Sequence, residues 1–232
     1  FRLPAGRYRT LRVTLGEGAG KNWWCVVFPS LCLPAATQEE AQALLLPTVD
    51  KLKEHFGPLV YGVDVPSLEF VLEGLLKEKG LTLGTAESCT GGLMAKRLTD
   101  LSGASQVFKG GIVSYTNEVK HNVLGVPQEL LDQYGAVSAP VAEAMAEGAR
   151  RVLGCDIGLS STGVAGPDKD DRGNEVGTMF VGIATPEGTY VRPLHITLRP
   201  VRERLRTITA HHAFDLARRY LMGLDYEAGM PQ

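Results

Sequence analysis

Ser88 sits inside Thr85-Ala86-Glu87-Ser88-Cys89-Thr90-Gly91-Gly92, between the apolar run Leu81-Thr82-Leu83 and an apolar-patterned segment from Leu93 to Leu101. That order reads as strand, polar turn and helix start. A hydroxyl in such a turn stands beside backbone N–H groups that a helix leaves unpaired, at the positive end of its dipole. The place suits an oxyanion or a phosphate. Ser88 can attack a carbonyl there if a base reaches it, with amides near Thr90, Gly91 and Gly92 as oxyanion donors. The same residues also suit a plain helix cap, with glycines easing a turn.

Three further clusters follow apolar, strand-like runs. Tyr115-Thr116-Asn117-Glu118-Val119-Lys120 comes after Gly111-Ile112-Val113-Ser114 and opens a helix. Tyr115 and Lys120 then project near one edge of a sheet, where open α/β folds bind ligands. Lysine serves as a base for serine when burial lowers its pKa; otherwise Lys120 is a solvated helix residue and Tyr115 a core aromatic. Ser160-Ser161-Thr162-Gly163-Val164-Ala165-Gly166-Pro167 follows Ile157 to Leu159 and offers hydroxyls and backbone donors to an anion or amide, or is an ordinary glycine-rich turn. Arg202 and Arg206, four apart at the start of the last helix, share one face that suits a phosphate, or simply water.

The remaining chemistry is thin. His121 adjoins Lys120, while His195, His211 and His212 fall late, so a Ser–Lys pair is more economical than a Ser–His–Asp triad. No GxxxxGK[ST] or GxGxxG motif occurs, so no nucleotide cofactor is expected. The four cysteines lack CxxC spacing, so no metal site is expected. Cys25 and Cys32 can pair in an oxidising compartment; Cys89 and Cys155 read as small hydrophobes in the core.

The elements that must position these residues can be read from periodicity. A helix from about Pro66 carries Leu68, Val71, Leu72, Leu75 and Leu76 at helical spacing and stops at Gly80. Then come a strand over 81–85, a helix over 91–101, a strand over 107–115, a helical stretch over 116–134 broken near Pro127, and a helix over 138–153. Strands over 155–163, 176–185 and 189–197 and a helix over 201–222 complete the series. The alternation predicts a layered α/β/α domain over 66–222, and the successive late strands predict a mixed sheet. The polar loop 166–174 reads as mobile. Thr37 starts a helix reaching about Phe56, bent at Pro47, as part of a linker over 37–65; residues 223–232 form a tail.

Residues 1–36 differ from the rest: dense in aromatics, without helical period, and read as strands or irregular structure packed on something. The chain starts without Met or a signal-peptide layout, so a fragment or processed start is expected. With 232 residues, 44% hydrophobic, 22% charged and a net charge of −2, the composition is that of a globular protein, with no basic excess for nucleic acid. No apolar run approaches the ~18–20 residues of a membrane span. A cytoplasmic protein is expected, and a homo-oligomer, with a partner subunit available to cover the aromatic front.

Thr85 to Gly92, Gly110-Gly111-Ile112-Val113-Ser114-Tyr115-Thr116-Asn117-Glu118-Val119-Lys120, Gly135-Ala136-Val137-Ser138, Thr162 to Pro167 and Val176-Gly177-Thr178 resemble, in the same order, the C-terminal domain of the CinA family. That domain is the nicotinamide-nucleotide amidohydrolase module. The resemblance implies hydrolysis of the carboxamide of nicotinamide mononucleotide to nicotinic acid mononucleotide and ammonia. It implies Ser88 as nucleophile, Lys120 as base and Tyr115 as support or proton relay. It further implies that Thr162 and Gly163 line the nucleotide site and that Arg202 holds the phosphate. Two departures stand out: Pro200-Val201 precede Arg202 where the family often has Gly-Asp, and charged Asp168-Lys169-Asp170-Asp171-Arg172 replaces a glycine-rich stretch. Residues 3–36 are similar to the end of stage II sporulation protein R.

Two other function classes fit: a nucleotide-binding regulatory module of competence or DNA-damage type without catalysis, and a sporulation signalling protein. The truncated match of the front segment disfavours the latter.

Overall fold

The computed structural model describes residues 49–63, 65–198 and 200–227. The expectations for the aromatic front, the Cys25–Cys32 pair, the start of the first helix and the bend at Pro47 fall outside them. The chain divides into two compact units, one of them Ser67–Tyr226. In the other, the described residues form a helical stretch over 49–56 and a 3-10 turn, Gly57–Leu59.

In the larger unit, α1 (Leu68–Lys79) begins where Ser67 Oγ accepts from the Phe70 amide at 3.3 Å and ends on Gly80 at φ 65°. Only glycine adopts that left-handed stop without strain, and its amide closes onto the Leu76 and Lys77 carbonyls. β1 (Leu83–Glu87) leads to α2 (Leu93–Thr99), and β2 (Phe108–Val113) follows. The helical stretch broken at Pro127 resolves into α3 (Asn117–Asn122) and α4 (Gln128–Tyr134). α5 (Ala139–Leu153), β3 (Ile157–Gly163), β4 (Thr178–Thr185), β5 (Gly188–His195) and α6 (Arg202–Met222) complete the unit.

The sheet order is β2-β1-β3-β4-β5. β1 lies parallel to both β2 and β3, while β3–β4 and β4–β5 are antiparallel, so the sheet is mixed. Central β1 is buried throughout, whereas edge strand β2 alternates between half-buried and exposed positions. Period-two alternation sorts the two faces. Ala86 joins Val141, Met145 and Ala149 in the core under α5, and Ser160 Oγ donates to the Ala142 carbonyl at 2.6 Å. Gly158 faces the same way, and a Cβ there would come 2.1 Å from the Ala146 carbonyl oxygen. Thr85, Glu87 and Ser161 face the opposite side, where α1, α2 and α6 pack together. Arg97 of α2 ties these three helices: it pairs with Glu69, donates toward His211 Nδ1 at 3.1 Å and stacks 5.1 Å from the Phe214 ring.

Because the chain leaves β1 for β2 on one side and returns to β3 on the other, the strand order reverses at the carboxyl end of β1. Open α/β sheets leave a crevice at such a point.

Candidate active site

Glu87 ends β1 with its side chain under α2, and the next residue, Ser88, leaves the sheet into the turn. The Ser88 amide donates to the Ser161 carbonyl at 2.9 Å, so β3 anchors the turn where it begins. The Gly91 amide closes it by donating to the Ser88 carbonyl at 3.1 Å. Gly92 is the N-cap of α2 at φ 91°, a conformation that strains any residue with a Cβ.

Here the structure corrects the expectation of a free helix N-terminus. The Met94 and Ala95 amides donate to Glu87 Oε2 and Oε1 at 2.9 and 2.8 Å. The start of α2 is therefore already occupied by a carboxylate from the chain itself. The Gly91 amide is engaged as well, which leaves the Thr90 and Gly92 amides as the donors of the expected set without a partner among the described residues.

Lys120 arrives from the other side of the crevice. Thr116 caps α3 by accepting from the Val119 amide at 3.3 Å, and this aims Lys120 inward, where it is 1% exposed. Its Nζ lies 3.1 Å from Ser88 Oγ, 2.8 Å from the Ser114 carbonyl and 3.5 Å from the Tyr115 carbonyl. Burial lowers its pKa to about 8, because the ammonium loses its hydration. As an ammonium it has three acceptors for three N–H groups. As an amine it can keep two N–H groups on the carbonyls and turn its lone pair to the Ser88 hydroxyl. That arrangement can take a proton from serine. Neighbouring Cys89 is not a rival nucleophile: burial pushes its thiol up to about 12, so it stays protonated.

Tyr115 is 60% exposed rather than a core aromatic, and its hydroxyl receives a hydrogen bond from Arg202 Nη2 at 3.1 Å. Arg202 also donates through Nη1 to the Gly166 carbonyl at 2.7 Å. One exposed guanidinium thus joins the segments following β2 and β3. Arg206, one turn along α6, donates to the Thr90 carbonyl at 2.6 Å and so braces the serine turn.

Thr162 and Gly163, which the resemblance implies line the nucleotide site, lie at the carboxyl end of β3. The Thr162 hydroxyl is fully buried and donates to the Ala136 carbonyl at 2.7 Å. Gly163 lets β3 approach β4: a Cβ there would fall 2.1 Å from Met179 Sδ. The loop after them is tied down rather than loose. Asp170 accepts from the Arg172 and Asn174 amides at 3.1 and 2.8 Å, and Arg172 donates to the Asp132 and Gln133 carbonyls at the end of α4.

Sequence reasoning left three contributors without a role, Glu87, Ser114 and Arg206 as a brace for the turn, and offered Ser161 only as one hydroxyl of a ligand-binding cluster rather than as a partner of Thr90. Glu87 and Ser161 carried a signal, since each lies in a quoted polar cluster and alternation along its strand puts it on the α2 face. The Ser114 and Thr90 carbonyls carried none, because main-chain acceptors have no residue-type signature. Among the described residues no three His, Cys, Asp or Glu side chains gather to hold a metal ion, and no helix is long and apolar enough to cross a membrane.

The CinA C-terminal domain matches residues 66–221, and stage II sporulation protein R matches residues 1–38. A protein of Caldanaerobacter subterraneus subsp. tengcongensis named as competence-damage inducible is 47% identical over 186 residues, covering 80% of this chain and 45% of the relative. A CinA-like protein of Desulfovibrio desulfuricans is 44% identical, covering 88% of this chain and 48% of that protein. The chain thus spans about half the length of the curated relatives it matches. A crystal structure of the competence/damage inducible protein CihA from Agrobacterium tumefaciens superposes with a TM-score of 0.61 at 34% identity, covering 64% of this chain and 90% of that one.

Proposed function

Because the chain belongs to the CinA C-terminal domain family, we propose that it hydrolyses the carboxamide of nicotinamide mononucleotide to nicotinic acid mononucleotide and ammonia. The observation that carries the reading is the buried Lys120 amine, 3.1 Å from Ser88 Oγ, at the reversal point of the sheet.

In this reading the Lys120 amine accepts the Ser88 proton as Oγ attacks the carboxamide carbon. The Thr90 and Gly92 amides receive the oxyanion; one such donor is worth about 3–4 kcal/mol. The tetrahedral adduct collapses as Lys120 returns the proton to the leaving nitrogen, ammonia departs, and a Ser88 ester remains. Water, deprotonated by Lys120, then attacks the ester; the acyl C–Oγ bond breaks, Lys120 returns the proton to Ser88 Oγ, and the acid is released. Tyr115 holds Arg202, and Arg202 faces the substrate phosphate as a paired donor. Its two present contacts, with the Gly166 carbonyl and the Tyr115 hydroxyl, hold the guanidinium between the segments that follow β2 and β3.

Ammonia release from nicotinamide mononucleotide, compared with the riboside and the dinucleotide, tests the proposal. Release from the mononucleotide that is lost in Ser88→Ala supports it. Binding of the nucleotide without ammonia release would instead select a non-catalytic nucleotide-binding module.

A further inference from the structure

We infer that Glu87 is a positioning residue for the nucleophile turn: by joining β1, Thr90 and the first turn of α2 into one hydrogen-bonded unit, it fixes the Thr90 and Gly92 amides beside Ser88. The inference rests on the reading of Ser88 as nucleophile.

The Glu87 side chain is 1% exposed, and burying a carboxylate is costly unless its lone pairs are met. A carboxylate offers about four such sites. All four are used here. Oε1 accepts from Thr85 Oγ1 at 3.3 Å and the Ala95 amide at 2.8 Å; Oε2 accepts from Thr90 Oγ1 at 2.7 Å and the Met94 amide at 2.9 Å. Ordinarily the N-cap residue itself would satisfy those helix amides with a short side chain. At this helix the N-cap is Gly92, which has no side chain to do so. Capping has been transferred to Glu87 beneath the turn, and the Gly92 amide is left without a partner among the described residues, while its carbonyl accepts from the Lys96 amide at 2.8 Å.

Thr90 is held through both its hydroxyl and its carbonyl, which also accepts from the Leu93 amide at 3.2 Å. Its single hydroxyl proton goes to Glu87, so in the 2.6 Å contact with Ser161 Oγ the serine must donate. Its carbonyl accepts from Arg206 at 2.6 Å. With hydroxyl and carbonyl both fixed, the peptide planes on either side of Thr90 have little freedom. The first of those planes carries the Thr90 amide, and the second carries the Gly91 amide, whose bond to the Ser88 carbonyl holds the start of the next plane, which carries the Gly92 amide.

Glu87→Gln preserves shape but places an amide NH₂ where two donors now point, whichever way it turns. Two readouts on the full chain separate the possibilities. One is the rate at which a fluorophosphonate labels Ser88, followed by intact mass: the Oγ–P bond forms, the P–F bond breaks, and fluoride leaves while Lys120 takes the proton. The other is kcat and KM for ammonia release from nicotinamide mononucleotide. Glu87→Gln is expected to slow both labelling and kcat by about 10–100-fold, with KM within about threefold. Thr90→Val should fall similarly, and Thr90→Ser should recover most of what Thr90→Val loses. Should Glu87→Gln fail to fold by circular dichroism, the Thr90 pair decides, since it leaves the carboxylate in place. A folded Glu87→Gln that labels at the wild-type rate, a loss in KM alone, or Thr90→Ser no faster than Thr90→Val would overturn the inference. A wild-type chain that takes no label at Ser88 would overturn the nucleophile reading, and the inference with it.

Discussion

Lys120 reaches Ser88 across 32 positions of sequence, and its remaining contacts are main-chain carbonyls rather than a carboxylate. Among the described residues no carboxylate hydrogen-bonds Lys120, so burial dominates and the amine is held ready at about pH 8.

Ser88→Ala should abolish ammonia release by a factor on the order of 10³ or more while leaving thermal unfolding within a few degrees of wild type. The half-buried hydroxyl makes one side-chain contact, with Lys120, so little stability depends on it. Retained turnover in an ammonia assay would remove Ser88 from the chemistry.

The pH profile follows from the state Lys120 must be in. Only the neutral amine accepts the serine proton, so kcat/KM should rise about tenfold per pH unit below pH 8 and level off above it. A profile that is flat between pH 6 and 9 would exclude Lys120 as the base.

The same shift is a stability statement. The folded value, about 8, lies below the ordinary ~10.4, so the unfolded chain binds this proton more tightly. Below pH 8 the buried amine therefore opposes folding by about 3 kcal/mol, and the penalty fades as pH rises from 8 to about 10.4. Lys120→Met should be inactive yet more stable at pH 7 by about 1–2 kcal/mol in urea unfolding, a trade between stability and activity. A less stable Lys120→Met would refute this account of the burial.

Charge reversal at Arg202 should weaken the mononucleotide about tenfold or more and the riboside much less, since only the former carries a phosphate. Tyr115→Phe removes one of the two contacts that hold the guanidinium and should raise KM for the mononucleotide more than it lowers kcat. Steady-state kinetics with both substrates check the pair, and equal losses on both would argue against a phosphate role.

His211 sets an acid limit on the fold. Burial and the neighbouring Arg97 cation lower its pKa to about 4 from an ordinary ~6.5. Its neutral Nδ1 accepts from Arg97 at 3.1 Å. The stability this provides is complete above pH 6.5 and is lost as pH falls through about 4, because the unfolded chain takes up the proton first. Urea unfolding across that window should show a decline that His211→Gln flattens.

Much of this molecule is written in local pattern. The stop of α1 at Gly80, the break between α3 and α4 near Pro127, and the run of late strands that makes the sheet mixed are short-range matters of period, φ and missing donors. The octet around Ser88 and the cluster ending at Lys120 were legible for the same reason, each being a polar turn behind an apolar strand. Whether Lys120 is solvated or buried was not legible, because burial depends on what β1, β2 and α3 enclose together. Nor was the fate of the α2 amides: a free N-terminus and one filled by Glu87 differ only in where a strand seven residues upstream passes beneath the helix. Local pattern is enough to say which groups stand at the strand ends. Tertiary structure decided which of them meet, since a pKa, an engaged amide and a brace such as Arg206 on Thr90 arise from neighbours through space, and those neighbours lie tens of residues away along the chain.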